Sequence, residues 1–222
     1  MDGPDRSQIP LDLKKKNEYS FRVDMRQAEE RSPRRAVGDK REAILAAALE
    51  LFVERGFHGT TVPEMAERAG VGAGTIYRHF ASKEAVVNEL YRGHKQLLTA
   101  RVLRDFPVDA AAREQFKALW HRMAGYAVDE PLGFAFLELH NHRSYLDADS
   151  LAIEARIREF GIGFLAAAQR RGEVRDADPM VLIGIVMGAF IGLVRFAGEC
   201  KLTLDEAAWR TAEQCVWEAI RA

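Results

Sequence analysis

Cysteine is nearly absent from this chain: Cys200 and Cys215 are the only two in 222 residues, too few for a disulfide framework or a cysteine-based metal site. Net charge is scarce as well. Thirty-two basic residues stand against thirty-three acidic ones, for a formal charge of −1, so nothing suggests a protein that coats nucleic acid over its whole surface. The longest apolar run, residues 180–194, is short for a membrane span and is interrupted by glycine. No apolar stretch follows the positive residues near the first methionine. These absences point to a reduced, cytoplasmic protein without membrane contact. Enzyme fingerprints are missing too, since no Gly-x-Ser-x-Gly, phosphate-binding loop or dinucleotide motif occurs. Glu138, His140 and His142 have the residue types of a metal site, but on one helix His140 would lie about 200° from His142, so the three cannot share an ion. No catalytic residue, metal or cofactor is expected.

Helical periodicity is what the chain does have, and no strand-type alternation interrupts it. Ile44, Leu45, Ala47, Ala48, Leu51 and Phe52 form one apolar stripe, with Asp39 and Glu42 at capping-box spacing before it and Gly56 ending it. Phe57 packs the following turn. Thr60 or Thr61 then caps a second helix, where each hydroxyl can also donate to a phosphate, and Pro63 fits that helix's first turn. Met65, Ala66 and Ala69 give it a buried face, and Gly70 takes the left-handed conformation that stops it. Val71 plugs the gap to a third helix over about residues 73–80. That helix is too short to stand alone, so Ile76 and Phe80 must anchor it inward. Thr75, Tyr77, Arg78 and His79 then point outward, a mix that donates to phosphates and reads base edges, while Ala73 and Gly74 at the tip let backbone approach DNA. Spacing alone leaves a plain helical hairpin with a solvated polar face equally open.

The residues from Gly70 to Glu84, containing Gly-Val-Gly-Ala-Gly-Thr-Ile-Tyr-Arg-His-Phe-Ala-Ser-Lys-Glu, resemble the DNA-binding signature of TetR-type transcriptional regulators, and Ile44, Ala48, Leu51, Phe52, Gly56, Phe57, Thr60 and Thr61 precede them at matching distances. The resemblance covers residues 40–91 and weakens to a general helical likeness beyond. It implies an all-α protein with a three-helix DNA-binding domain over residues 39–84 and a larger effector-binding and dimerisation domain over residues 85–222. It also implies that Lys83, awkwardly cationic at a helix N-terminus, contacts the DNA backbone. Pro63 departs from the family's pattern, which often places a basic or polar residue nearby, so one DNA contact of relatives is expected to be missing.

Residues 1–38 are charged, carry Pro4, Pro10 and Pro33, and read as a disordered extension, with Met25 an alternative start. Its Arg31, Arg34 and Arg35 could serve as a basic DNA arm or simply be solvated. Further helices follow over about residues 82–106, 109–128, 131–146, 150–171, 179–200 and 204–221. Gly184, Gly188 and Gly192 line a helix open to close approach, and Leu204, Ala208, Thr211 and Cys215 continue a stripe on the last. By resemblance these two helices pair with their copies in a homodimer, which would place two recognition helices about 34 Å apart on a palindromic operator. Between head and dimer surface, Trp120, Met123, Tyr126, Phe134, Leu137, His140, Asn141, Phe160, Phe164, Met187 and Phe190 are candidates for an effector cavity, which would suit a hydrophobic or amphipathic small molecule. A fully packed core is the bland alternative. The leading reading is a ligand-released repressor of double-stranded DNA. Its alternatives are a ligand-independent architectural or cell-division factor on the same fold and, last, a helical metal-dependent enzyme using Glu138 and His142.

Overall fold

The computed structural model of the chain describes residues 40–200 and 202–222. The 1–38 extension, the arginines Arg31, Arg34 and Arg35, and the Asp39 cap lie outside the described residues. Within them the fold is all-helical: α1 (Lys40–Arg55), α2 (Val62–Ala69), α3 (Ala73–His79), α4 (Lys83–Leu103), α5 (Ala112–Asp129), α6 (Pro131–Phe134), α7 (Ala148–Arg170), α8 (Pro179–Cys200) and α9 (Glu206–Ile220). Among the described residues a single antiparallel bridge, Val174 to Arg221, pins residue 221 to the loop before α8.

Local chemistry sets the boundaries. Thr61 and Glu64 form a reciprocal capping box that opens α2, satisfying two N–H groups that a helix start leaves without partners. Gly70 closes α2 with φ +67°, and the Val71 N–H returns to the Ala66 carbonyl, the bond pattern of a left-handed helix cap. Ser82, Asp147 and Asp205 cap α4, α7 and α9 through side-chain oxygens. Ser150, the expected start of α7, instead donates its N–H to Asp147. At 22 residues, α8 is long and apolar enough by composition to cross a membrane, contrary to the short run read from sequence, because the helix continues through Arg195 and Glu199 to Cys200.

The expected helix over residues 131–146 is broken. Gly133, Phe134, Ala135, Phe136 and Leu137 are all buried, and five consecutive inward positions cannot lie on one face of a 3.6-residue helix. The chain widens into a π-turn over Ala135–Leu139, runs extended at His140 and tightens into a 3-10 turn over Arg143–Tyr145. His142 folds back beneath this turn, and its Nε2–H donates to the Phe136 carbonyl at 2.5 Å. Gly133 lets α6 approach α4 closely: a Cβ there would stand 2.5 Å from the His94 ring and 2.8 Å from the Tyr126 hydroxyl. The π-turn packs against α1, α4 and α8 together, so it sits where the N-terminal helices meet the body.

Candidate nucleic-acid interface

Three short helices build this face. Ile44, Leu51, Phe52, Met65, Ile76 and Phe80 converge in one core, so α3 is held entirely by tertiary packing. Two of those side chains, Ile76 and Phe80, are the inward anchors expected for α3. Its other face is open. Tyr77 is 60% exposed, and Arg78 and His79 are exposed beside it. Arg78 donates to the hydroxyl of half-buried Thr75 at 3.3 Å, which holds the guanidinium along the helix. At the tip, Ala73 and Gly74 are exposed, and a Cβ added at Gly72 or Gly74 would meet nothing within 4 Å. Packing within the chain therefore does not require glycine there, whereas backbone approach to an external partner would use it.

Two of the expected backbone clamps are employed otherwise. Thr60 is only 1% exposed, and its hydroxyl donates to the Leu51 and Gly56 carbonyls at 3.1 and 2.9 Å, closing the end of α1. Burial removes it from any surface. Lys83 Nζ donates to the carbonyls of Phe57 and Thr60 at 2.7 and 2.9 Å and lies 3.9 Å from the centre of the Phe57 ring. Two of its three donors are thus spent on the turn between α1 and α2, which supplies a structural reason for a cation at the start of α4. Thr61 remains exposed, with its hydroxyl on Glu64. The Thr61 hydroxyl and N–H hold the Glu64 carboxyl below the usual carboxylate range, and Arg55 pairs with the same carboxylate at 2.7 Å.

In the body, the candidate cavity residues divide. Phe190 lies edge-on to Trp120 at 5.0 Å, stacks on Trp209 at 5.2 Å and lies 5.8 Å from Phe134. Trp120 Nε1 donates to the Trp209 carbonyl. Tyr126 shares a hydrogen bond with His94 Nδ1 at 3.1 Å, and burial pushes its phenol up and the His94 imidazole down. Leu137 is buried in the same core, and Met123 and Phe164 pack partly buried against it; Met187 is half-buried. Asn141 and Phe160 leave the group. Asn141 is exposed and accepts the Arg143 N–H, while Phe160 packs edge-on to Phe106 near the surface. His140 is half-buried, and burial pushes its imidazole down.

Glu138 is paired with Lys95 at 2.7 Å in a largely buried contact. Among the described residues, no group of three or more His, Cys, Asp and Glu is placed to hold a metal ion. Of the expected assembly residues, Gly184, Gly188 and Gly192 on α8 and Thr211 and Cys215 on α9 are exposed, Ala208 on α9 is half-buried, and Leu204, also half-buried, lies before α9 rather than on it. Met180, Val181, Ile185 and Phe196 add exposed apolar area to α8, of which only Leu182 and Phe190 are buried.

Comparison with known proteins matches both parts of the chain. Residues 44–90 match the model of bacterial regulatory proteins of the tetR family, and residues 93–222 that of the tetracyclin repressor-like C-terminal domain. The HTH-type transcriptional repressor KstR2 of Mycobacterium tuberculosis is 46% identical over 76 residues, 34% of this chain and 37% of that protein. The alignment therefore spans little more than a third of that relative's length. The repressor BepR of Brucella suis is 28% identical over 165 residues, 69% of this chain and 78% of its own. Among solved structures, a tetR-family transcription regulator from Shewanella sp. PV-4 superposes with a TM-score of 0.69 at 26% identity, covering 83% of this chain and all of that one. The ketosteroid transcriptional regulator KstR2 of Mycobacterium tuberculosis gives 0.62 at 25%, covering 84% and 97%. With an exposed polar helix in a helix-turn-helix and a helical body behind it, this chain belongs to the TetR family of DNA-binding, non-enzymatic transcriptional regulators.

Proposed function

We propose that the protein is a cytoplasmic, homodimeric repressor that reads a palindromic operator through α3 of each copy and is released by a hydrophobic or amphipathic small molecule. The observation that carries this reading is α3 itself. It is a seven-residue helix that spends Ile76 on the core and presents Tyr77, Arg78 and His79 outward, with a glycine tip free of packing demands. Such a helix reads a major groove at its N-terminal end and adjoining side chains. Thr75, Tyr77, Arg78 and His79 carry the readout, and Thr61 with the backbone at Ala73 and Gly74 positions it.

Homodimerisation is supported by the uncovered small-residue face of α8 beside α9. Glycine at positions 184, 188 and 192 gives a flat strip on which a second copy's helix can lie. We assign this face to a second copy rather than to a membrane, because Arg195 and Glu199 lie inside α8 and would need to enter the bilayer with it. The effector class is supported by the aromatic group around Phe190 and by the ketosteroid named for the relative KstR2.

Binding to the DNA upstream of the protein's own gene tests the reading. Tyr77→Ala and His79→Ala are each expected to weaken binding by about 5- to 150-fold, the range for losing one base-directed contact. The wild-type affinity should fall steeply with salt as phosphate counterions are released. Unchanged binding by both variants would remove α3 from the interface. Light scattering at micromolar protein should give twice the chain mass, and a panel of sterols and acyl compounds added to the complex tests release.

A further inference from the structure

A second strut, besides α4, joins the body to the helix-turn-helix. The Tyr145 ring, at the end of the broken segment in the body, stacks on Phe57 with centroids 4.0 Å apart and planes 19° apart. His58 meets the same ring edge-on at 5.8 Å. The Lys83 ammonium lies 3.9 Å from the centre of the same Phe57 ring and also holds the Phe57 and Thr60 carbonyls. Thr60 immediately precedes the Thr61 cap of α2. The turn that launches the helix-turn-helix is therefore clamped between the first residue of α4 and an aromatic ring of the body.

Tyr145 is itself held in place. Its carbonyl accepts from Asn88 Nδ2 at 2.7 Å, and Asn88 Oδ1 accepts the Asp147 N–H at 2.8 Å. Asn88 lies on α4 and is buried, and one turn further Arg92 pairs with Asp147 at 2.7 Å. A buried amide with both ends satisfied fixes a loop to a helix far better than surface charge does. None of these contacts involves Thr75, Tyr77, Arg78 or His79.

We propose that Tyr145 is a positioning residue for DNA recognition. Its ring fixes the angle at which the helix-turn-helix leaves the body, and so fixes the half-site spacing that the dimer accepts. This rests on the dimeric operator reading. Changing the separation of two half-sites by 2 bp rotates one relative to the other by about 70° around the duplex, which a rigid pair of heads cannot follow and a loosened pair can.

The test uses the full chain and a duplex selected by the wild-type protein from a randomised pool, together with versions carrying 1 or 2 bp inserted or deleted between half-sites. Wild-type protein should bind the 2-bp variants at least about tenfold more weakly than the selected duplex. Tyr145→Ala should compress that preference to less than about threefold while leaving the salt dependence of binding unchanged, since no phosphate contact is removed. Tyr145→Phe keeps the ring and should behave as wild type. A purely stabilising role would lower the melting temperature and weaken all duplexes equally, preserving the spacing ratio. Should Tyr145→Ala fail to fold, Tyr145→Leu retains bulk without the stack and takes its place. A variant that keeps the wild-type spacing ratio overturns the inference alone, whereas a wild-type protein indifferent to spacing overturns the dimeric operator reading and the inference with it.

Discussion

Replacing Arg113 by methionine is expected to lower the unfolding free energy by about 3–5 kcal/mol, the usual cost of stranding a buried charge. Glu213 on α9 has only 2% of its side chain exposed, and both its oxygens accept from the Arg113 guanidinium on α5. The arginine is itself 34% exposed and lies 5.5 Å over the Trp217 ring, so it reaches water while its partner does not. Removing the arginine leaves the carboxylate in a site walled by the α5–α9 contact. Urea denaturation followed by circular dichroism measures the loss. The double variant Arg113→Met, Glu213→Met should recover most of it, because a buried ion pair is often no more stable than an apolar replacement. Recovery would show that the pair fixes how α9 sits on α5 more than it adds net stability. A single-variant loss under about 1 kcal/mol would mean instead that Glu213 finds another partner or water. Because α9 borders the proposed dimer face, the same single variant should also lower the fraction of dimer at a given protein concentration.

The helix-turn-helix was legible because its determinants are local. Gly70 with φ +67° and the Ile76–Phe80 pair each act within a few residues and do in space what their spacing implies, and of the two threonines that could cap α2 it is Thr61 that does so, in a box with Glu64 that was not read from the sequence. The long helices were legible in their periodicity but not in all their ends: α5 begins with no side-chain cap, and α7 begins after Asp147 rather than at Ser150. What escaped was decided by partners distant in the chain. Thr60 has the chemistry of a phosphate donor, and only the meeting of its hydroxyl with the Leu51 and Gly56 carbonyls turns it inward. Lys83 drew notice as a cation at the wrong end of a helix, yet nothing local says that the Phe57 and Thr60 carbonyls lie within its reach. The break over residues 135–145 did leave a signal in the unbroken apolar run Phe134 to Leu137, too dense for one face of a helix. Tyr145 left none, since its contact with Phe57 depends on that break.

Lowering the pH from 6.5 to 4.5 is expected to cost the wild-type fold about 2–3 kcal/mol through His142 alone. This side chain is 5% exposed, and its Nε2–H is committed to the Phe136 carbonyl, which leaves Nδ1 buried and without a partner. The second proton must go to Nδ1, from which no side chain or carbonyl of the described residues accepts, and the Phe136 and Tyr145 rings crowd the site. Burial accordingly pushes the imidazole down to about 4 from 6.5, with His140 and Lys95 adding repulsion against the attraction of the Phe136 carbonyl. The unfolded chain binds this proton below about 6.5 and the folded chain only near 4, so across that window the unfolded state carries more protons and stability falls as pH falls. His94 and His140 are shifted in the same direction by burial and add to the slope. Carboxylates held below their ordinary values, Glu64, Glu84, Asp147 and Glu173, add a loss in the same direction that begins below about pH 5.5, and because the variant keeps all four, the difference between the two proteins removes it. His142→Gln keeps an N–H for the Phe136 carbonyl and has nothing to titrate. Its melting temperature should therefore decline less between pH 6.5 and 4.5 than that of the wild type, whatever its offset at neutral pH. Parallel declines in the two proteins would place the acid sensitivity elsewhere. Since His142 ties the π-turn to the strut that ends at Tyr145, the same variant should also keep its wild-type half-site spacing preference at neutral pH, where the wild-type histidine is uncharged.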